Sequence, residues 1–164
     1  MDNNQDYLII DPFINTFARV DDLKELTKAY PRIKEKVNFI CGFAEHLPLL
    51  SKTFDHVHMR SMIDHVYNAE LAVAEAYRVL KKGGILVIAS YMEGGENGKL
   101  SIKEKIKHKL EFFGKTFQIL LKDHHLWHPT YKEMINLLED TNFKIKSIHW
   151  LTGLKNVCYI EAIK

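Results

Sequence analysis

Residues 69–91 read AELAVAEAYRVLKKGGILVIASY, and no other stretch narrows the fold as much. Leu71, Ala74, Val79 and Leu80 recur at helical spacing, which predicts a helix over Ala69–Lys82 stopped by Gly83-Gly84. Ile85–Tyr91 then runs apolar without alternating, as a strand covered on both faces of a parallel sheet does. A helix that feeds directly into such a strand is half of a βαβ unit, so the chain is read as α/β.

The rest of the chain extends that pattern. Tyr7–Ile10 is a short apolar strand that ends in Asp11-Pro12. A helix is expected from Asp21 to Tyr30, capped by Asp21 or Asp22 and ended by Pro31. Val37–Cys41 and Phe54–Met59 read as further strands. The order β-α-β-β-α-β implies an open, mostly parallel sheet. Beyond Tyr91 the character changes. Glu93–Lys99 (EGGENGK) is a loop, Ser101–Lys122 a long helix, and Thr130–Asp140 a helix whose Thr130 and Glu133 form a capping-box pattern. Phe143–Leu151 and Asn156–Ile163 are expected to form an antiparallel pair at one edge, joined by a reverse turn near Lys155-Asn156 after Gly153.

Composition excludes several function classes. The 164 residues suffice for one domain with a core, and 46% hydrophobic with 27% charged residues is ordinary for a soluble protein. A net charge of +2, from 23 basic and 21 acidic side chains, does not point to nucleic acid. No apolar run is long enough for a transmembrane segment. The opening MDNNQD is polar and acidic rather than a secretory leader. Cys41 and Cys158 are far apart and read as reduced thiols of a cytoplasmic protein.

In open parallel sheets ligands bind beyond the carboxyl ends of the strands, so the residues just after each strand are the candidates. Asp11 can accept two hydrogen bonds from a vicinal diol such as a ribose, or simply cap the turn before Pro12. After the second strand, Gly42 allows close backbone approach, and Phe43 with Ala44 could form a slot for a planar ring. After the third, Arg60 and Ser61 face the crevice, while Asp64 and His65 begin the next helix or line the site. Gly83-Gly84 follows a helix, not a strand, so it is read as a helix stop rather than a phosphate loop. In HHLWH, His124 and His128 have a zinc-compatible spacing. Pro129 interrupts, no glutamate intervenes and no third ligand is evident, so no metal is expected. Lys99–Lys122 is rich in lysine on one side, with Ile102, Ile106, Leu110, Phe113 and Phe117 on the other. It is read as an amphipathic helix covering the domain, with a basic lid or a membrane-surface helix as alternatives.

The string FICGFAEHLPLLSKTFDHVHMRSMIDHVYNAELAVAEAYRVLKKGGILVIAS (Phe39–Ser90) resembles the class I S-adenosylmethionine-dependent methyltransferases, in particular the methyltransferase type 11 branch. The resemblance rests on Gly42 to Pro48, Phe54 to Val57, Asp64 to Val66 and Arg78 to Gly84 together. HPTYKEMINLLEDTNFKI (His128–Ile145) resembles the family's last helix and strand, with Asn142 where a glycine is usual. The resemblance implies a Rossmann-like sheet over one domain, residues 1–164, with 93–130 as a variable loop and lid. It implies S-adenosyl-L-methionine as cofactor, held by Asp11 at the ribose, Phe43 and Ala44 at the adenine, and Arg60 and Ser61 at the methionine portion. His65 would border the substrate side as the candidate base. Phe43 stands where the family commonly has an acid, so it can only pack on the adenine.

In the family a strand, a Gly-x-Gly-x-Gly-like loop and a helix precede the YLIID strand, and no such motif occurs here. The sheet is therefore expected to be truncated at its centre. Either the YLIID strand pairs directly with FDHVHM, or a homo- or hetero-oligomeric partner completes the sheet, since an open central edge invites aggregation. The implied function is methyl transfer to a small-molecule or glycan-like acceptor. The alternative is a non-catalytic methyltransferase-fold module that works with a partner chain.

Overall fold

The computed structural model describes residues 7–12, 28, 38–111, 125–153 and 156–164. Apart from residue 28, the helix expected over Asp21–Tyr30 lies outside these residues, as do the outer half of the helix expected over Ser101–Lys122, His124 and Lys155 of the expected turn.

Among the described residues the strands fall into two sheets. β1 (Leu8–Ile10) and β2 (Asn38–Ile40) form a parallel pair, with Ile9 opposite Phe39. The other four strands are β3 (Phe54–Arg60), β4 (Leu80–Tyr91), β5 (Lys144–Trp150) and β6 (Val157–Ile163), in the order β3-β4-β6-β5. β3 runs parallel to β4, while β6 is antiparallel to both of its neighbours. The C-terminal antiparallel pair thus sits at one edge, as its alternation implied. Among the described residues no ladder joins β1 to β3, so the direct pairing of YLIID with FDHVHM is not formed.

One face of the larger sheet is sealed by two helices, α1 (Ala69–Val79) and α3 (Tyr131–Asp140). The buried cluster joins Met59, Leu86, Ile88, Cys158, Ile160 and Ala162 from the strands to Ala72, Val73 and Ala76 of α1 and Met134, Leu137 and Leu138 of α3. Small side chains on α1 let it lie close to the sheet, and the larger residues of α3 fill what remains. The helix starts are capped locally. Asn68 accepts the Leu71 N–H at 2.7 Å. Thr130 and Glu133 form the reciprocal capping box that the sequence announced. On the opposite sheet face Ile85 and Val87 are only partly buried, so β4 is not fully covered on both faces as its unbroken apolar run suggested.

α1 is shorter than its periodicity predicts. It ends at Val79, and Leu80 to Gly84 already belong to β4. Tertiary contacts override local propensity here. Leu80 pairs with Phe54, and Lys81 meets the Asp55 carboxylate at 2.8 Å. Gly83, at φ +78°, donates to the Lys164 carbonyl, and Lys164 donates back to Gly84 O. The Lys164 ammonium donates to the carbonyls of Tyr77 and Leu80, where the negative end of the helix dipole favours a cation.

α2 (Ile102–Glu111) starts on a capping box between Ser101 and Glu104. Its apolar residues Ile102 and Ile106 are 78% and 54% exposed, so this stretch does not lay its apolar stripe on the domain as expected of a covering helix. No described helix is long and apolar enough to cross a membrane.

Candidate functional site

The site is built at the carboxyl ends of the parallel strands. Asp11 follows β1, and its N–H donates to Ile40 O at 3.2 Å, which continues the β1–β2 ladder and pins the acid beside the end of β2. Gly42 completes the junction. A Cβ there would meet Ile10 Cγ2 at 3.3 Å, so a larger residue would push the two strand ends apart. Phe43 is 54% exposed beside this junction, whereas Ala44 packs against the core cluster. Asp11, Gly42 and Phe43 therefore lie at the carboxyl ends of the adjacent strands β1 and β2.

The loop that carries Phe43 and Ala44 is held from the four-stranded side. Buried Glu45 accepts the Tyr67 N–H at 2.8 Å. Glu75 on α1 accepts the Leu47 N–H at 2.7 Å and pairs with Arg78, which donates onward to the carbonyls of Leu47 and Leu49. The Arg78 guanidinium, with help from that N–H, holds the Glu75 carboxyl below its ordinary range against the opposing effect of burial. This clamp links the loop after β2 to the core.

Arg60 and Ser61 stand at the end of β3. Arg60 lies over the Tyr159 ring, 5.8 Å from its centroid. Both occupy one row across the sheet, because Arg60 pairs with Ala89 and Ala89 with Tyr159. Ser61 donates its N–H to Ala89 O at 2.7 Å and then turns the chain through a left-handed conformation, φ +49°. That conformation is uncommon for a residue with a Cβ and marks an imposed bend at the strand end. The described residues link Asp11 with the Gly42–Phe43 junction and Arg60 with Tyr159. They record no contact between the two groups.

His65 is exposed in a turn that precedes α1, rather than at a helix start. It is not an isolated imidazole. Its ring lies 4.6 Å from that of His125, and His125 Nε2 is 3.6 Å from Asp64 Oδ2. The Asp64 carbonyl accepts the N–H groups of both Leu126 and Trp127, which fastens the His125 segment to the turn after β3. His128 is buried with its ring edge-on to His125. The sequence reading missed this grouping because it weighed IDHV and HHLWH separately. Only the chain's return over the end of β3 joins them.

A family model described as methyltransferase domain matches residues 12–88, just under half of the chain. Among curated relatives, the ubiquinone/menaquinone biosynthesis C-methyltransferase UbiE of Agrobacterium fabrum is 35% identical over 65 residues. That match covers 40% of this chain and 25% of the relative, so the chain spans about a quarter of the length of the UbiE proteins that it matches. Among solved structures, a S-adenosylmethionine-dependent methyltransferase of Thermotoga maritima superposes with a TM-score of 0.62 at 23% identity, over 96% of this chain and 72% of that one. The 1,6-didemethyltoxoflavin-N1-methyltransferase of Burkholderia thailandensis, solved with bound 1,6-didemethyltoxoflavin and S-adenosylhomocysteine, gives a TM-score of 0.58 at 12% identity, over 98% of this chain and 72% of that one. The parallel strands and the antiparallel C-terminal pair give this chain the fold of the class I S-adenosylmethionine-dependent methyltransferases, and the methyltransferase-domain model matches its residues 12–88.

Proposed function

We propose that the chain binds S-adenosylmethionine at the mouth formed by Asp11, Gly42 and Phe43, and serves methyl transfer to a small-molecule or glycan-like acceptor. The observation that carries this reading is the Asp11–Gly42 junction. A carboxylate is held at the end of one parallel strand, beside a glycine whose missing Cβ leaves room at the end of the next. These residues fit the nucleoside end of the cofactor. Asp11 would accept both ribose hydroxyls, and Phe43 would stack on the adenine while Ala44 closes the slot from the core side. Arg60 and Ser61 would border the methionine portion.

When bound, the cofactor supplies an electrophilic methyl on a sulfonium. The protein's share is to orient it against the acceptor and keep water away, so positioning supplies most of the acceleration. His65 could take a proton at a ring nitrogen if the acceptor needs deprotonation, and a nucleophilic acceptor needs no base.

Titration calorimetry with S-adenosylhomocysteine tests this reading. Micromolar binding is expected, weakened about ten- to a hundredfold by Asp11→Ala, as the loss of charge-assisted hydrogen bonds implies. No heat at millimolar ligand would reject it.

A second reading has its own support. β3 is an edge strand of its sheet among the described residues, and Tyr7, Ile9, Phe39 and Phe43 are 57%, 42%, 47% and 54% exposed. A partner strand seated on β3 would extend the sheet, which is the arrangement of a fold module completed by another chain. A monomer at high concentration in sedimentation experiments, with micromolar ligand binding, would dismiss this second reading.

A further inference from the structure

We propose that Asp64, His65 and His125 form a binding site for a first-row divalent metal ion of the zinc type. One ligand atom from each lies within 4.8 Å of the other two, with Asp64 Oδ2 and His125 Nε2 at 3.6 Å. A tetrahedral zinc ion with bonds of about 2.0–2.2 Å sets its ligand atoms about 3.3–3.6 Å apart. The Asp64–His125 pair already has that spacing. His65 is exposed, and a turn about its side-chain torsions closes the remaining gap of about 1 Å. Two imidazoles and one carboxylate are a donor set that suits zinc, iron or nickel rather than magnesium or calcium.

A second observation also indicates a cation. Asp64 is 8% exposed, and its Oδ1 is buried with no hydrogen-bond partner. Burying a carboxylate oxygen away from any donor is costly, and the imidazole at 3.6 Å from Oδ2 is long for a hydrogen bond. The site is also braced. The N–H groups of Leu126 and Trp127 on the Asp64 carbonyl fix the two ligand segments to one another, and the His128 ring backs His125. The outward side of the cluster is open, because the His125 side chain is 44% exposed and His65 is exposed. Water or an oxygen of a bound small molecule would take the remaining positions.

The site is independent of the cofactor reading, because none of its three ligands is assigned to S-adenosylmethionine, and a His65 that ligates the metal does not serve as the base. Its test uses the untagged full chain, stripped by a chelator and titrated with Co²⁺ followed by visible absorption, and with Zn²⁺ by calorimetry. One equivalent is expected to bind at micromolar or tighter affinity, with the intense visible bands of a four-coordinate cobalt site. His125→Ala and Asp64→Asn are expected to weaken binding by more than the about 10–100-fold that loss of an outer-shell partner costs. His149→Ala, on β5 and outside the cluster, is expected to leave it unchanged. The half-exposed His125 keeps the test decisive if Asp64→Asn does not fold. Absence of stoichiometric binding at millimolar Co²⁺, or binding that His125→Ala leaves intact, would overturn the proposal.

Discussion

The four-stranded sheet and the β1–β2 pair are built on opposite terms. In the first, Leu86, Ile88, Cys158, Ile160 and Ala162 are fully buried beneath α1 and α3. In the second, Ile9 and Phe39 face one another across the ladder and are both more than 40% exposed. The larger sheet holds the fold, and the smaller pair carries the acid and the ring slot proposed for the cofactor. Among the described residues the two are tied by polar contacts from α1 to the loop after β2 and by Ala44, which packs against the core. The lesson is that the proposed ligand mouth rests on the more exposed region, where local opening is expected to cost less and a ligand or partner can add order.

Cysteine labelling is expected to expose the largest contrast. Cys41, at the end of β2, is exposed, whereas Cys158 on β6 is buried and its thiol is pushed up to about 11, mainly by burial. An alkylating reagent at mildly alkaline pH should modify Cys41 at least about a thousandfold faster, because Cys158 must wait for the core to open. Comparable rates, read by mass spectrometry, would mean that the larger sheet opens as readily as the smaller. Truncation mutants sharpen the same division. Ile160→Ala should cost about 2–5 kcal/mol in denaturant unfolding, and Phe39→Ala about 1 kcal/mol or less. Similar values would break the comparison.

The tie between the regions comes next in size. Glu75→Gln should cost about 1.5–3 kcal/mol at neutral pH through loss of the charged partner of Arg78. The Glu75 carboxyl is held low by Arg78, so its contribution is present above the ordinary glutamate range and is lost as pH falls through the lowered folded value. The gap between wild type and Glu75→Gln should therefore close below about pH 4, measured by urea unfolding across pH. A gap that stays constant would show that the charge contributes nothing. A small effect is expected from Thr130→Ala, about 1 kcal/mol through loss of the α3 cap, with no change in the reactivity of Cys41.

Much of this was legible in the residues themselves. Thr130 and Glu133 announced a helix start because a capping box is a local arrangement of side chain and backbone. The antiparallel pairing of β5 with β6 followed from strict alternation and a short connection. The end of α1 was misjudged because Lys81 and Lys82 continue a helical pattern, whereas the ladder to β3 and the grip of Lys164 recruit that stretch into β4. The Asp64–His65–His125 cluster gave no sequence signal, since its members come from two distant segments with no shared spacing.

Periodicity, caps and glycine stops are short-range physics, and from them the chain alone determined its α/β class, most of its strands and the strand-end positions of Asp11, Arg60 and Ser61. Only the tertiary structure decided that the strands separate into two ladders, that Phe43 stays exposed while Ala44 joins the core, and that His125 returns to the turn after β3. Those outcomes depend on which distant surfaces gain most by burial together, and no window of sequence contains both partners.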